Sequence, residues 1–180
     1  PLATRRGESS QAALTPNLMF ADNATVRLDL ENEPQPDPLL RLKTGVRSRI
    51  SEDDYVEGAP ELIVEITDCR DVPWNVSTSY DLHDKKQVYY RNGVQEYLVW
   101  LVEENAFRWY VLTDQGYQLQ EKDASGILKS QVFSGLCLDV EALFSGDLQK
   151  VLNVVQTGIN SCWPPPPLNA SRYNGGFGRT

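Results

Sequence analysis

The feature that most constrains the fold is a short apolar run that contains a carboxylate. Residues 62–66 read Leu-Ile-Val-Glu-Ile and follow Gly58 and Pro60. An apolar run of this length after such residues is typical of a β-strand buried on both faces. Burying a carboxylate without a partner is costly, so Glu65 requires a cation or a chemical role. The run therefore predicts a central strand that carries a partnered carboxylate.

Composition places the chain among ordinary globular proteins. The 180 residues are 41% hydrophobic and 23% charged, which suits one domain with a sizeable core. No segment approaches 18 consecutive apolar residues and no charged-then-apolar signal opens the sequence, so we expect a cytoplasmic protein without a membrane partner. The three cysteines stand far apart without a CxxC pair, which argues against a disulfide framework and against a zinc site.

The net charge limits the kinds of partner. It is −8, and the isoelectric point is about 4.7. Such a chain does not attract nucleic acid through its overall charge. A polyanionic partner would therefore require a local basic patch or a bound metal ion.

Periodicity and turn residues predict the order of the elements. They are strand 24–31, two strands within 38–50 around the Thr44-Gly45 turn, helix 81–94 ended by Asn92-Gly93, the hairpin 96–103 and 106–113, edge strands near 117–120 and 127–133, and two short helices within 139–159 broken near Gly146. This order is typical of an α/β or α+β fold in one domain. We expect the domain to span 15–160, after a flexible segment 1–14 and before a disordered Pro- and Gly-rich tail 161–180.

Two carboxylates are candidates for a functional site. Asp37 enters a predicted strand within the stretch QPDPLL, and Glu65 shares its strand face with Ile63 and Thr67. Each also has a simpler interpretation. Pro-Asp-Pro is a common turn sequence, and Glu65 could pair with a structural partner.

Lys85 is the third candidate because of its place on the predicted helix. Positions 82, 85 and 89 follow the spacing of a core-facing helix stripe and hold Leu82, Lys85 and Tyr89. Buried lysines are rare unless paired, and the helix directly follows the strand of Glu65. A structural Lys85–Glu65 ion pair and a catalytic role for Lys85 both remain open on this spacing.

Metal-assisted phosphodiester hydrolysis is the chemistry that needs such groups together. Two carboxylates and a backbone carbonyl form an oxygen-rich site that suits Mg²⁺. A bound metal lowers the pKa of a water ligand and stabilises charge on the scissile phosphate. A nearby lysine can orient that water or stabilise the developing negative charge.

Several segments together resemble a known family. QPDPLL, GAPELIVEI, SYDLHDKKQVYYRNGVQEYLVW and VFSGLCLDVEALFSGDL resemble the Uma-like family, whose members are described as restriction endonucleases of the PD-(D/E)XK superfamily. The similarity covers roughly residues 15–160. It implies a mixed central β-sheet flanked by helices, with metal-binding acids on adjacent strands.

The resemblance also implies roles for individual residues. Asp37 and Glu65 match the two metal-binding acids, with Mg²⁺ or Mn²⁺ as cofactor and DNA as substrate. The usual strand lysine would fall at Thr67, which cannot serve, and the matching position on the following helix is Lys85. Gln35 lies on the strand face of Asp37, where a contact to the metal-bound water or the phosphate is a further hypothesis.

A basic stretch near Asp37 is a candidate for contacts to the DNA backbone. RLKTGVRSR at 41–49 carries four cations and no acid. Strand alternation puts Arg41 with Lys43 on one face, and Arg47 with Arg49 on one face of the returning strand. The alternative is a solvated hairpin face.

Three functions follow as hypotheses. The first is a Mg²⁺-dependent DNA endonuclease that uses Asp37, Glu65 and Lys85, with Arg47 and Arg49 binding substrate. The second is a catalytically inactive relative that binds nucleic acid or protein, which Pro38, Thr67 and the acidic charge favour. The third is a homodimeric assembly module with the segment 96–103 near its interface.

Overall fold

The computed structural model describes residues 17–44, 47–67 and 80–162. In chain order the elements are β1 (Leu18–Asp22), β2 (Val26–Arg27), β3 (Pro38–Leu42), β4 (Ser48–Ile50), β5 (Val56–Gly58), β6 (Leu62–Thr67), α1 (a π-helical start, Tyr80–Lys85, continued as α-helix Lys86–Asn92), β7 (Glu96–Leu101), β8 (Ala106–Thr113), β9 (Gly116–Leu119), β10 (Ile127–Lys129), β11 (Cys137–Asp139), α2 (Val140–Phe144) and α3 (Leu148–Cys162).

A six-stranded mixed sheet forms the centre of the fold, in the order β1-β3-β6-β7-β8-β9. Only β6 and β7 are parallel within it, and α1 is the crossover between them. The strands β2-β5-β4 and the pair β10-β11 form two smaller sheets. This arrangement confirms the predicted mixed sheet with helices.

Each face of the central sheet covers its own apolar cluster. Because strand side chains alternate, Ile63 and Tyr97 point to the face that Tyr89 of α1 covers. Leu62 and Trp109 point to the opposite face, where they pack with residues such as Val140 of α2. β7 and the first residues of β6 are therefore covered on both sides, as the apolar run 62–66 predicted. Ile66, near the end of β6, is 42% exposed, so the prediction fails there.

The predicted ends of the helices and the main hairpin are confirmed. Gly93 follows α1 with a left-handed φ of 78°, a conformation that suits glycine at a helix end. Gly146 separates α2 from α3 with φ 74°. Asn105 forms the turn between β7 and β8 with φ 46°.

The predicted strand 24–31 is wrong over most of its length, because only Val26–Arg27 is a strand. The Asp29 side chain accepts hydrogen bonds from the Glu31 backbone at 2.9 Å and from Asn32 Nδ2 at 2.6 Å. Such local side-chain bonds compete with a strand ladder and favour a turn. The sequence pattern also missed β1, β5 and β11.

The two strands predicted within 38–50 are present as β3 and β4, but the predicted hairpin between them is wrong. Its two strands belong to different sheets, since β3 pairs with β1 and β6 while β4 pairs with β5. The registers of β3 and β4 are therefore set by different neighbouring strands. Arg47 and Arg49 do not continue the face of Arg41 and Lys43.

The segment 96–103 is not placed for an interface between two copies. Its strand β7 lies between β6 and β8 and is buried along almost its whole length. Residues 161 and 162 of the predicted tail 161–180 belong to α3 instead. The segments 1–14 and 163–180 lie outside the described residues, so their predicted flexibility stays a prediction. Within the described part, no helix is long and apolar enough to span a membrane.

Candidate active site

Asp37 stands directly before β3, and Glu65 lies on β6, the neighbouring strand of the central sheet. In the antiparallel β3–β6 pair, Leu39 faces Ile63 and Leu40 faces Leu62. Asp37 lies two residues before Leu39, just outside β3. The Ile66 backbone N–H donates to Asp37 Oδ2 at 2.7 Å, which holds the two strands together at this point.

Glu65 is buried, with 3% of its surface exposed, and both carboxylate oxygens have partners. Lys85 Nζ lies 2.8 Å from Oε2, and the Tyr89 hydroxyl donates to Oε1 at 2.6 Å. Hydrogen bonds from donors to a charged acceptor are among the stronger ones in proteins. A cation and a neutral donor therefore offset the cost of burying this carboxylate.

The crossover from β6 to β7 brings both donors to Glu65. α1 crosses the sheet face that carries Ile63 and Glu65. Lys85 and Tyr89 are four residues apart, so they lie on one side of the helix. Lys85 also ends the π-helical start of α1, a feature often found at functional sites.

Lys85 keeps one side open to solvent. Its side chain is 19% exposed, against 4% for Glu65. The next residue, Lys86, turns elsewhere and places its Nζ 3.7 Å from the centre of the Tyr110 ring. The predicted Lys85–Glu65 ion pair is thus present, and Lys85 is the lysine of the two that contacts Glu65.

Asp37 and Gln35 have different environments. Asp37 is half-buried, and its Oδ1 accepts no hydrogen bond within the described residues. Gln35 is exposed, and its Nε2 donates to the Asn23 carbonyl at 2.7 Å. Gln35 therefore braces the loop that leads into β3.

Arg47 and Arg49 each have a partner inside the molecule. Arg47 Nη1 donates to the Gly93 carbonyl at 2.7 Å, just beyond the end of α1. Arg49 pairs with Glu57 Oε2 at 2.7 Å, although 80% of its side chain is exposed. Arg49 can reach a ligand if its exposed ion pair with Glu57 opens, whereas Arg47 secures the helix that carries Lys85.

Arg41 is buried rather than part of a basic surface. It is 5% exposed, and its Nε donates to Ser48 Oγ at 2.9 Å. Its neighbour Glu61 is 3% exposed and accepts from the Leu42 backbone at 2.8 Å. Burial raises the pKa of Glu61, and the Leu42 N–H and the charge of Arg41 oppose that rise. This pair supports the sheet away from Asp37 and Glu65.

Tyr89 is the site residue to which the sequence assigned no role. The helix stripe placed it beside Lys85, and that four-residue spacing was the available signal. Next to these two side chains lies a cleft of about 160 Å³, also lined by Glu31, Asn32, Glu33, Pro34 and Val88. A ligand in this cleft would reach Lys85 from the solvent side.

The donor set at the site fits a hard divalent cation in part. Among residues 17–44, 47–67 and 80–162, no group of three or more His, Cys, Asp or Glu side chains is placed to hold a metal. Two carboxylates are nevertheless the protein contribution that Mg²⁺ often has, since it keeps several waters. Asp37, with an oxygen that accepts no hydrogen bond there, and Glu65 fit this role.

Comparisons with known proteins bear on the fold and the family of this chain. A crystal structure described as "a putative nuclease belonging to DUF820" from Anabaena variabilis matches with a TM-score of 0.51 at 18% identity, over 74% of this chain and 73% of that chain. At this identity the match shows the fold alone. A search of curated proteins found no match. The model of the Uma2 family, described as "Putative restriction endonuclease", matches residues 9–141. Because that match covers most of the chain, the protein belongs to the Uma2 family.

Proposed function

We propose that this protein is a DNA endonuclease that depends on a divalent metal ion. The observation that carries the proposal is a buried carboxylate, Glu65, which is paired with Lys85 on the adjoining crossover helix. The backbone of the next residue, Ile66, donates to the Asp37 carboxylate. Membership in the Uma2 family supports a nuclease activity. Lys85 also borders a cleft of about 160 Å³.

Asp37 and Glu65 are the residues that would hold Mg²⁺ or Mn²⁺. When bound, such an ion supplies an activated water and stabilises charge on the scissile phosphate. Asp37 Oδ2 stays fixed by the Ile66 N–H, which leaves Oδ1 for the ion. Glu65 contributes the oxygen that Lys85 now contacts.

Lys85 has the charge and the exposure for a direct part in the reaction. Its ammonium group is 2.8 Å from Glu65 Oε2 and remains partly open to solvent. From this position it can donate to a phosphate oxygen or orient the attacking water. Gln35, Arg47 and Arg49 are proposed substrate contacts, and Arg49 is the most exposed of these arginines.

Cleavage of supercoiled plasmid tests the proposal. The wild type should nick and linearise the DNA with Mg²⁺ or Mn²⁺ and lose this activity in EDTA. Glu65→Ala should be inactive under every condition, because it removes a metal ligand and the partner of Lys85. Cleavage that persists in purified Glu65→Ala would contradict the assignment.

A second candidate function is a catalytically inactive relative that binds DNA or a protein. Thr67 stands where nucleases of this superfamily usually carry lysine, and it is buried. The same assay separates the two functions. DNA binding by a well-folded wild type that cleaves with neither metal would support the inactive relative.

A further inference from the structure

The Tyr89 hydroxyl is buried next to Glu65, the candidate metal ligand. Tyr89 has no exposed surface, and its O–H donates to Glu65 Oε1 at 2.6 Å. A buried hydroxyl is costly without a partner, so this bond is strongly favoured. The hydroxyl therefore constrains how the Glu65 carboxylate can rotate.

The two donors to Glu65 differ in rigidity. Lys85 reaches Oε2 through a long flexible side chain that is partly exposed. The Tyr89 ring packs against Tyr97 with ring centres 5.1 Å apart, and Tyr97 in turn stacks on Tyr110 at 6.1 Å. This packing fixes the phenol, so Tyr89 is the donor that defines the orientation of the carboxylate.

The two carboxylate oxygens of Glu65 have different donors, and this difference affects how a metal ion can bind. A rigid neutral donor holds Oε1, while a flexible and partly exposed side chain holds Oε2. A divalent ion and the Lys85 ammonium would compete for, or share, the same oxygen. Outer donors of this kind orient metal ligands, and their loss typically weakens metal affinity about 10–100-fold.

We propose that Tyr89 is a positioning residue that holds Glu65 Oε1 and so presents Oε2 to the metal ion. This inference rests on the proposed metal-dependent function. Tyr89 would act through Glu65 rather than contact the substrate.

Metal titration of matched Tyr→Phe variants tests the proposal. Tyr89→Phe keeps the ring and removes only the donor to Glu65. Tyr117→Phe is the control, since its hydroxyl also makes an internal bond, to the Val94 carbonyl at 2.7 Å, away from Glu65. Mn²⁺ binding, measured by calorimetry without DNA, should weaken about tenfold or more in Tyr89→Phe. It should change less than about twofold in Tyr117→Phe.

A second readout separates positioning from a general loss of structure. Plasmid cleavage by Tyr89→Phe should recover at high Mn²⁺, because the defect lies in metal affinity. Unchanged Mn²⁺ affinity in Tyr89→Phe, or equal weakening in both variants, would overturn the proposal. If the wild type cleaves DNA with Mn²⁺ while Tyr89→Phe binds the ion equally well, the role of Tyr89 fails and the endonuclease proposal stands. A wild type that neither binds Mn²⁺ nor cleaves overturns both.

A measurement on the wild type covers the case in which Tyr89→Phe does not fold. Mg²⁺ should shift the NMR resonances of the Tyr89 ring with the dissociation constant found by calorimetry. The resonances of the Tyr117 ring should not follow that titration. Tyr89 resonances that stay unchanged at saturating Mg²⁺ would overturn the proposal.

Discussion

At the scale of single residues, the main electrostatic feature is the buried charge of Glu65, which needs stabilising partners. The carboxylate is 3% exposed and contacts Lys85 and Tyr89. Removing one partner of a buried ion pair leaves an uncompensated charge, which is more costly than the pair itself is stabilising. Substitution of Lys85 should therefore affect both activity and stability.

The first prediction compares two adjacent lysines. Lys85→Ala should reduce plasmid cleavage by about 100-fold or more, the usual range for a proton-transfer or charge-stabilising group. Lys86→Ala should keep most of the activity, because Lys86 contacts the Tyr110 ring instead of Glu65. Losing the contact between Lys86 and the Tyr110 ring should lower the free energy of unfolding by roughly 0.5–1 kcal/mol. Equal loss of activity in both variants would refute a specific role for Lys85.

The second prediction concerns the like charges of Asp37 and Glu65. A metal that binds only the folded site should stabilise the wild type by roughly 1–3 kcal/mol near saturation, seen as a higher melting temperature. Asp37→Asn should melt higher than the wild type in EDTA, because one charge of the pair is gone. Its amide oxygen can still accept from the Ile66 N–H.

Melting curves with and without Mg²⁺ or Mn²⁺ measure these effects. Asp37→Asn should respond little to either ion. Glu65→Gln should also lose the response. An equal rise in melting temperature for the wild type and Asp37→Asn would show that Asp37 is not a ligand.

At the scale of elements, the β6–α1–β7 crossover is the unit that builds the site. It presents Lys85 and Tyr89 to the strand that carries Glu65. The far end of α1 is secured by Arg47, whose Nη1 donates to the Gly93 carbonyl. Strand β4 is thereby linked to the helix that positions the donors.

The third prediction tests that link. Arg47→Ala should lower the free energy of unfolding by roughly 1–3 kcal/mol, because it removes a hydrogen bond from a charged donor. Arg49→Ala should change it by about 1 kcal/mol or less, since Arg49 forms an exposed ion pair with Glu57. Urea denaturation measures both variants. Equal effects would show that the Arg47–Gly93 contact contributes nothing specific.

The fourth prediction uses a second buried carboxylate, Glu96 of β7. It has no exposed surface and accepts from Ser130 Oγ at 2.8 Å and from the Gln131 backbone at 2.6 Å. Burial raises the pKa of Glu96, and these hydrogen bonds oppose the rise. Its contribution to stability is therefore fully present below the ordinary pKa of glutamate and is lost as the pH rises through the raised value.

Glu96→Gln isolates that contribution from other titrating groups. We measure urea denaturation of both proteins between pH 5 and pH 8. The stability of the wild type relative to Glu96→Gln should decrease as the pH rises. A relative stability that stays constant, or increases with pH, would contradict a raised pKa for Glu96.

At the scale of the whole molecule, surface charge limits how DNA can bind. The net charge is −8. Many described cations are paired with acids, namely Arg27 with Glu33, Arg49 with Glu57, Arg91 with Asp29, Lys122 with Glu141, Lys129 with Asp123 and Lys150 with Asp139. A phosphate contact by one of these residues would have to disrupt an ion pair.

The fifth prediction follows from this pairing. In EDTA, the logarithm of the DNA binding constant should fall with the logarithm of salt concentration with a slope of about −2 or shallower, because few counterions are released. Arg49→Ala should make the slope shallower by about one if Arg49 contacts a phosphate. A steep wild-type slope would indicate a basic surface in segments outside the described residues.

The features that the sequence alone determined are those with a local cause. The apolar run 62–66 indicates a strand by its own pattern, which can be recognised without knowing which strands lie next to it. Gly93 ends α1 and Gly146 separates α2 from α3 because glycine readily adopts a left-handed φ. The spacing of Lys85 and Tyr89 likewise places both on one side of α1.

The tertiary structure alone decided which partners these residues meet. Arg41 is buried and bonded to Ser48, and Arg47 contacts Gly93 forty-six residues away. The separation of β3 and β4 into different sheets depends on their neighbours, which strand periodicity does not encode. The bond from Tyr89 to Glu65 exists because a parallel pair of strands requires a crossover, and that crossover lays α1 over the carboxylate.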